Sequence, residues 1–424
     1  MKWWEELSKM SQEEVLTMSR EYSARSTQFD NGFVQWHGKG PLLQGWDGRK
    51  AYDFSSGVGS KNIGQHDDRI AAVKRWFAVN EISNIPDHDF PHPIAALLKR
   101  ELCRITPGAF PKKVFMGRGG AEANEHAIKL ALEMRPEGTD FAFVGSFHGR
   151  SRGALRFTSS KSVQWKGFVP QADRPKFLPF PEDGHDCSGY WLSLHEGNDL
   201  RLLRDMYAEC RPRIFFAEAV QGEGGINVAC VTCLRDVLWA FKDMGCIIVM
   251  DEVQTGFMRT GKMFASEWYG IVPDVISLGK SLCPSHSLAA SVFRAELDMK
   301  PGRNSNTGVD AEACAIALEN IELLEELDRD AIEENIATLS RVAPRGLGLM
   351  RRIECENKAQ RDAIVDAAAK LEPVALILLG AGSEELGERY IRLMPAVTTT
   401  PEELGEMLTL LRRVTKAHGL VLPD

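Results

Sequence analysis

Short apolar runs alternate with stretches of helical period over more than half of this chain, and this alternation limits the fold more than any other feature. Between about residue 61 and residue 295, each run has the length of a buried strand, and residues with a helical apolar repeat separate it from the next. The runs cover residues 113–116, 141–144, 214–217, 246–250 and 275–278. Strands that alternate with helices predict an α/β fold with a doubly wound, mostly parallel sheet covered by helices.

The segments on either side of this region predict a second, smaller α/β domain. A hairpin is expected where residues 42–46 and 50–54 flank the turn residues Asp47 and Gly48, and residues 1–18 have the charge pattern of an amphipathic helix. The C-terminal part predicts helices over residues 311–327, 330–342 and 401–418, and short strands within residues 346–354, 376–379 and 390–394. We therefore expect an N-terminal segment (1–60) that joins a C-terminal small domain (296–424), and a large domain between them (61–295).

The composition excludes several classes of protein. A chain of 424 residues, 44% of them apolar, can bury a large core without disulfides or metals. No apolar run approaches the length of a membrane span. The 51 basic and 59 acidic residues give a net charge of −8, which argues against a general nucleic-acid binder.

The cysteines and histidines indicate a reducing compartment and no metal site. Nine scattered cysteines are typical of free thiols in a cytoplasmic protein. Cys230 and Cys233 form a CxxC pair, but no second pair of ligands lies near them in the sequence. His88 and His92 lie in a loop with two prolines, for which we expect a solvated or interface position.

Residues that could bind a ligand or take part in a reaction follow several of the apolar runs. In open parallel sheets, ligands bind at the carboxyl ends of the strands, so these positions are the ones to examine. The glycine-rich residues 117–122 (GRGGAE) follow one run and open a helix, as a phosphate-binding loop does. Asp251 and Lys280 follow two other runs, and Phe147 and Arg150 follow a fourth. An aromatic ring there can stack on a flat ligand, and an arginine can bind a carboxylate.

Each of these residues alone also has an ordinary structural explanation. Any turn from a strand to a helix favours glycine, and a carboxylate such as Asp251 can cap a helix or join a core ion pair. Most lysines are solvated, and a phenylalanine is most often a core residue. Together, however, they supply a lysine for a Schiff base, an acid for a pyridinium nitrogen, an anion cradle and an aromatic platform. These are the requirements of pyridoxal phosphate.

In its motifs the chain resembles the class III aminotransferases of fold type I, the group that includes ornithine, acetylornithine, 4-aminobutyrate and lysine 6-aminotransferases. The resemblance extends from Asp53 to Arg392, and its most specific part is residues 250–262 (MDEVQTGFMRTGK) followed by Lys280. Residues 120–130 and 218–225 (EAVQGEGG) match as well. The resemblance implies a large, mostly parallel sheet of the seven-stranded type and a smaller α/β domain.

The resemblance implies a role in cofactor binding for several positions. Lys280 would form the internal aldimine and then move the proton between Cα and C4′. Asp251 would keep the ring nitrogen protonated, and Gln254 would bond to the ring's phenolic oxygen. The backbone N–H groups of Gly120 and Ala121 would hold the phosphate.

Further positions are implied to complete the site. Phe147 would stack on the ring, and Thr307 would reach the phosphate from the neighbouring subunit, which implies a homodimer with shared active sites. Arg392 matches the arginine that binds the α-carboxylate of the 2-oxo acid. Glu223 matches the glutamate that neutralises this arginine when an ω-amine donor is bound, and Arg150 matches a position that binds a substrate carboxylate in several members.

Four departures from the family pattern concern the walls of the substrate pocket. Residues 281–286 (SLCPSH) replace a glycine-rich stretch after the lysine, and residues 304–310 (NSNTGVD) lack the usual histidine and aromatic. Gly119 stands where serine is common, and Ala219 where proline is common. The pocket walls therefore match no single subgroup.

The expected function is transfer of an amino group from an amino acid, of the ω-amino type, to a 2-oxo acid such as 2-oxoglutarate, through pyridoxamine phosphate. One alternative on the same scaffold is an amino-acid racemase or epimerase, for which residues 283–286 would supply a second base. Another is a pyridoxal-phosphate binder without catalytic activity. Glu223 and Arg392 argue against it, because they serve the substrate and not the cofactor.

Overall fold

A computed structural model describes residues 2–7, 9–26, 32–84, 90–183, 207–304, 309–384 and 387–423. In chain order, its strands are β1 Gln35–Lys39, β2 Leu42–Gly45, β3 Lys50–Asp53, β4 Lys112–Gly117, β5 Thr139–Phe143, β6 Lys176–Leu178, β7 Pro212–Ala217, β8 Val220–Gln221, β9 Asn227–Val228, β10 Ile247–Asp251, β11 Val275–Leu278, β12 Ala289–Arg294, β13 Arg345–Leu347, β14 Met350–Glu354, β15 Val374–Ile377, β16 Leu379–Ala381 and β17 Tyr390–Leu393.

The α-helices of the same residues are Trp3–Leu7, Gln12–Tyr22, Ser56–Gly59, Asp68–Val79, Pro93–Ile105, Gly120–Met134, Arg152–Arg156, Ser162–Trp165, Val231–Asp243, Ala311–Glu326, Arg329–Val342, Lys358–Ala368 and Pro401–Ala417. Short 3₁₀ helices span Gln171–Asp173, Ala265–Tyr269, Lys280–Leu282 and Ala295–Leu297.

Seven strands form one large sheet in the order β4-β12-β11-β10-β7-β5-β6. Strand β10 pairs in parallel with β7 and β11, and β5 pairs in parallel with β6 and β7. Strand β12 runs antiparallel to β11 and β4. The prediction of a mostly parallel α/β sheet is therefore confirmed. Strands β6 and β12 were not predicted, because β6 has only three residues and β12 begins with a pair of alanines.

Helices cover both faces of this sheet, which explains why its central strands are apolar without alternation. Neighbouring residues of β7 point to opposite faces: Phe215 packs with the helix Val231–Asp243, and Phe216 packs with the helix Gly120–Met134. In β10, Ile248 belongs to the first of these two clusters and Val249 to the second. The large sheet is thus the middle layer of three, and only the strand ends remain available for a site.

Two smaller sheets contain the ends of the chain. Strands β1, β2 and β3 form antiparallel pairs as predicted for the hairpin, and β15 adds to β3 in parallel. The N-terminal hairpin therefore shares a sheet with a strand from the C-terminal part. The other sheet has the order β13-β14-β17-β16.

Two predictions of secondary structure were wrong. The single N-terminal helix is two helices, because Ser11 caps the second one and its side chain accepts a hydrogen bond from the backbone N–H of Glu14. The apolar run 376–379 contributes to both β15 and β16, which lie in different sheets. A run of apolar residues cannot show that the chain changes sheets within it.

Candidate active site

A cavity of about 530 Å³ lies at the carboxyl ends of the central strands. It contains nearly all the residues that the sequence singled out as candidates. Its lining comprises Val58, Gly119, Gly120, Ala121, Asn124, Phe147, His148, Gly149, Arg150, Glu218, Glu223, Asp251, Val253, Gln254, Lys280 and Arg392. Thr307 lies outside the described residues.

The glycine loop brings the start of a helix to the wall of the cavity. Gly119 is the N-cap of the helix Gly120–Met134 and has no side chain to bond the first backbone N–H groups, so these groups remain available to an anion. A Cβ atom on Gly120 would come within 2.7 Å of the Val253 side chain, whereas a Cβ on Gly119 would meet nothing within 4 Å. Only glycine therefore fits at position 120 without a shift of its neighbours.

Asp251 ends strand β10 and is buried, with 5% of its surface exposed. One carboxylate oxygen, Oδ2, accepts a hydrogen bond from Asn124 Nδ2 at 2.8 Å and lies 2.8 Å from His148 Nδ1. The other oxygen, Oδ1, accepts from the backbone N–H of Val253 at 3.0 Å. These contacts compensate for burial of the charge and hold the carboxylate in one orientation.

Lys280 follows the neighbouring strand β11, and the parallel pairing of β10 with β11 brings it into the same cavity as Asp251. Burial lowers the pKa of its amine from 10.5 to about 8, and the charge of Arg392 acts in the same direction. Glu223, Asp251 and Glu218 oppose this shift. A lysine with a pKa near neutrality has a sizeable neutral fraction and can act as a nucleophile or a base.

Glu223 and Arg392 form an ion pair at the cavity wall. Arg392 lies on β17, and its Nη1 donates to Glu223 Oε2 at 3.0 Å. Burial by itself would raise the pKa of Glu223, but the charges of Arg392, Lys161 and Lys280 together lower it below its usual value. The pair therefore consists of two charged groups, and a carboxylate from a ligand could replace Glu223 as the partner of Arg392.

Comparison with known proteins places this arrangement in a family. The family model of class III aminotransferases matches residues 22–415. This chain is a class III aminotransferase. It is 30% identical to a probable 4-aminobutyrate aminotransferase of Bacillus subtilis, over 90% of this chain and 92% of that protein. It is 29% identical to the acetylornithine aminotransferase of the same organism, over 90% and 95% of the two chains.

The fold of this aminotransferase is that of a pyridoxal-phosphate enzyme of fold type I. The crystal structure of the ornithine aminotransferase from Toxoplasma gondii superposes with a TM-score of 0.82 and covers 98% of this chain and 97% of its own, at 22% identity. The predicted family, fold class and enzyme class are thus confirmed, and the family's cofactor is pyridoxal phosphate.

The cavity fits that cofactor by observations independent of the motifs. Gln254 Oε1 and His148 Nε2 are buried and have no hydrogen-bond partner among the described residues. Buried polar atoms of this kind normally have a partner, so a ligand with polar groups is indicated. The open space beside Gly119 and the free helix start provide room for an anionic group.

Three residues of the site were not assigned roles from the sequence. Asn124 and His148 hold the carboxylate of Asp251, and both lie inside motifs already noted, at one helical turn from Gly120 and directly after Phe147. Glu218 is buried in the cavity. Burial and the nearby charge of Asp251 raise the pKa of its carboxyl well above the usual value. Their positions in the cavity depend on tertiary packing, which a spacing pattern does not reveal.

Among the described residues, no helix has both the length and the apolar character needed to cross a bilayer. In the same part of the chain, no three His, Cys, Asp or Glu side chains cluster as metal ligands would. Cys230 caps the helix Val231–Asp243, and Cys233 is buried on it.

Proposed function

We propose that this aminotransferase moves an amino group from an ω-amino acid to a 2-oxo acid, with 2-oxoglutarate as the acceptor. The observation that carries the proposal is that Lys280, Asp251 and the Glu223–Arg392 pair line one cavity. The first two residues serve the cofactor. The pair serves the substrates, which a protein that only stores the cofactor would not need.

Different residues of the cavity would bind different groups of the cofactor. Asp251, oriented by its three hydrogen-bond donors, would face the ring nitrogen, and Gln254 would supply a partner for the ring's oxygen. The first N–H groups of the helix, at Gly120 and Ala121, would bind the phosphate, and the ring of Phe147 would stack on the cofactor. When bound, pyridoxal phosphate withdraws electrons from the substrate carbon that carries the amine.

Lys280 would bind the cofactor's aldehyde at rest and act on the proton of the substrate carbon during turnover. Its amine has the lowered pKa that a general base requires near neutral pH. Desolvation in the cavity is the main cause of this shift, so water must stay excluded while the proton moves.

The Glu223–Arg392 pair supports the assignment of substrates. An ω-amino acid presents its reacting amine far from an α-carboxylate, so Arg392 can stay paired with Glu223 while the donor is bound. A 2-oxo acid brings a carboxylate next to the reacting carbon, and Arg392 can bind it once Glu223 is released. Arg150, which also lines the cavity, would bind the far carboxylate of a donor or acceptor.

We also propose a homodimer in the cytoplasm. Thr307 would reach the phosphate of the neighbouring subunit, as the family resemblance implies. Cys246, Cys283 and Cys355 are buried free thiols, which fits a reducing compartment.

The test is a panel of donors and acceptors with the purified holoenzyme. 4-Aminobutyrate, ornithine, acetylornithine, lysine and simple α-amino acids are each supplied with 2-oxoglutarate or pyruvate, and the products and their handedness are identified. Turnover of an ω-amino acid with formation of glutamate supports the proposal. Inversion of an α-amino acid without consumption of a 2-oxo acid would show a racemase instead.

The role of Lys280 is tested by Lys280→Ala, which should abolish turnover and leave the thermal unfolding transition in place. Lys50→Ala, at an exposed position of β3, is the matched control and should keep full activity. Persistent transamination by the Lys280 variant would contradict the assignment.

A further inference from the structure

Glu223 has a second cationic neighbour besides Arg392. Lys161 Nζ lies 3.9 Å from Glu223 Oε1, whereas Arg392 binds the other oxygen, Oε2, at 3.0 Å. The carboxylate of Glu223 therefore bridges two cations with different oxygen atoms. Lys161 is not among the residues that line the cavity, so it acts on a substrate only through Glu223.

The backbone around Lys161 is held in place by several hydrogen bonds. The backbone N–H of Ser162 donates to Glu384 Oε1 at 2.9 Å, and its hydroxyl donates to the same oxygen at 2.7 Å. On the other side, the backbone N–H of Ser160 donates to the carbonyl of Ser146 at 3.0 Å. The Lys161 side chain starts from a fixed point beside Glu223, and about a fifth of it is exposed.

Lys161 is shared between two carboxylates. Its Nζ lies 3.1 Å from Glu388 Oε1, closer than to Glu223. While Arg392 neutralises Glu223, Lys161 can therefore remain with Glu388. When Arg392 turns to another carboxylate, Lys161 is the remaining cation within ion-pair distance of Glu223 among the described residues.

We propose that Lys161 is the cation that Glu223 keeps when Arg392 binds the carboxylate of the 2-oxo acid, so that Lys161 sets the affinity for the acceptor. This inference rests on the roles proposed above for Arg392 and Glu223. Lys161 is a positioning residue in this scheme, because it touches neither substrate nor cofactor.

The physical reason is the cost of leaving a largely buried carboxylate without a counter-ion. With the donor bound, Glu223 has Arg392 and loses little if Lys161 is removed. With the acceptor bound, Arg392 is occupied, and Lys161 is the cation that remains within ion-pair distance of Glu223 among the described residues, with the charge of Lys280 acting from farther away. Removing Lys161 therefore destabilises the acceptor complex more than the donor complex. The affinity for the acceptor should fall, and the affinity for the donor should change little.

The test is Lys161→Met in the holoenzyme, with the two half-reactions measured separately by the change in cofactor absorbance. We expect KM for 2-oxoglutarate to rise roughly fivefold, because this ratio corresponds to the free energy of a partly exposed ion pair. KM for 4-aminobutyrate should change little. The dissociation constant of glutarate, a dicarboxylate that cannot accept an amino group, is measured by calorimetry as a second readout and should follow that of the acceptor if glutarate binds Arg392. Lys161→Arg should restore the acceptor KM.

Two control variants separate this role from a general effect on folding. Lys161 and Lys166 flank the short helix Ser162–Trp165 at its two ends. Lys166→Met removes the exposed lysine at the C-terminal end and should leave both KM values unchanged. Glu388→Gln frees Lys161 from its other partner and should keep or lower the acceptor KM. Equal changes in donor and acceptor KM for Lys161→Met, or none in either, would overturn the inference.

Failure of this inference can be told apart from failure of the proposed function. If Arg392→Ala raises the acceptor KM and Lys161→Met does not, the role of Lys161 is wrong and the role of Arg392 stands. If neither variant affects the acceptor, then the assignment of Arg392 to the 2-oxo acid is wrong as well.

Discussion

The ionisation of Lys280 gives a quantitative prediction for the apoprotein. Its pKa is lowered from 10.5 to about 8, first by burial and then by the charge of Arg392. At pH 7 an amine with a pKa of about 8 is neutral in about a tenth of the molecules, against about one in three thousand for an ordinary lysine. The role proposed for Lys280 would require its neutral amine, because a protonated amine has no electron pair with which to condense with an aldehyde and release water. Lys280 should therefore react about 300-fold faster at pH 7 than an exposed lysine with the same intrinsic reactivity.

The dependence on pH follows from the direction of this shift. Below about pH 8 the neutral fraction of Lys280 increases tenfold with each unit, and above it the fraction saturates. The rate of attachment should rise and then level near pH 8. The apoprotein is mixed with pyridoxal phosphate between pH 6 and pH 10, reduced with borohydride at set times, and digested. Mass spectrometry of the peptide that contains Lys280 then gives the modified fraction.

A rate that continues to rise to pH 10 would refute this reasoning, because it would show an amine with the pKa of a solvated lysine. Arg392→Gln provides an internal check. It removes a cation that lowers the pKa of Lys280, while the nearby acids Glu223, Asp251 and Glu218 remain. The midpoint of the pH profile should therefore move upward in this variant.

Two further predictions concern packing. Gly120→Ala should weaken binding of pyridoxal phosphate about tenfold, because the new Cβ meets the side chain of Val253; Gly119→Ala, in open space, should change it little, and cofactor titration followed by absorbance distinguishes the two. Arg213→Met should lower the free energy of unfolding by about 2 kcal/mol in a denaturant titration, because the buried carboxylate of Asp140 loses its two hydrogen bonds from Arg213, at 2.6 and 2.8 Å, and keeps only the one from Arg156 at 3.0 Å; substrate KM values should stay unchanged.

The sequence predicts the large sheet well because its central strands are buried on both faces. All five residues of strand β10 and all six of β7 are buried, and each strand contains an uninterrupted apolar run, residues 247–250 in β10 and 214–217 in β7. The three-residue strand β6 at one edge of the sheet and the antiparallel strand β12 were not predicted, whereas β4 at the opposite edge was. The paired strands β3 and β15 are far apart in the chain, and their contact follows from tertiary packing. The division of the chain at residues 60 and 295 stays a prediction.

The candidate site separates in the same way into a local part and a long-range part. Lys280 and Asp251 could be predicted because each stands at or just after the carboxyl end of an apolar strand, and strands that pair in parallel must place these ends together. The contacts of Asp251 with Asn124 and His148 and the second cation beside Glu223 come from other segments of the chain, and no spacing rule connects Lys161 with Glu223. A family's motifs therefore locate the chemistry, whereas the charges around it belong to the individual chain. Relatives that share every motif can still differ in their substrates for this reason, and the contact between Lys161 and Glu223 is where we expect such a difference here.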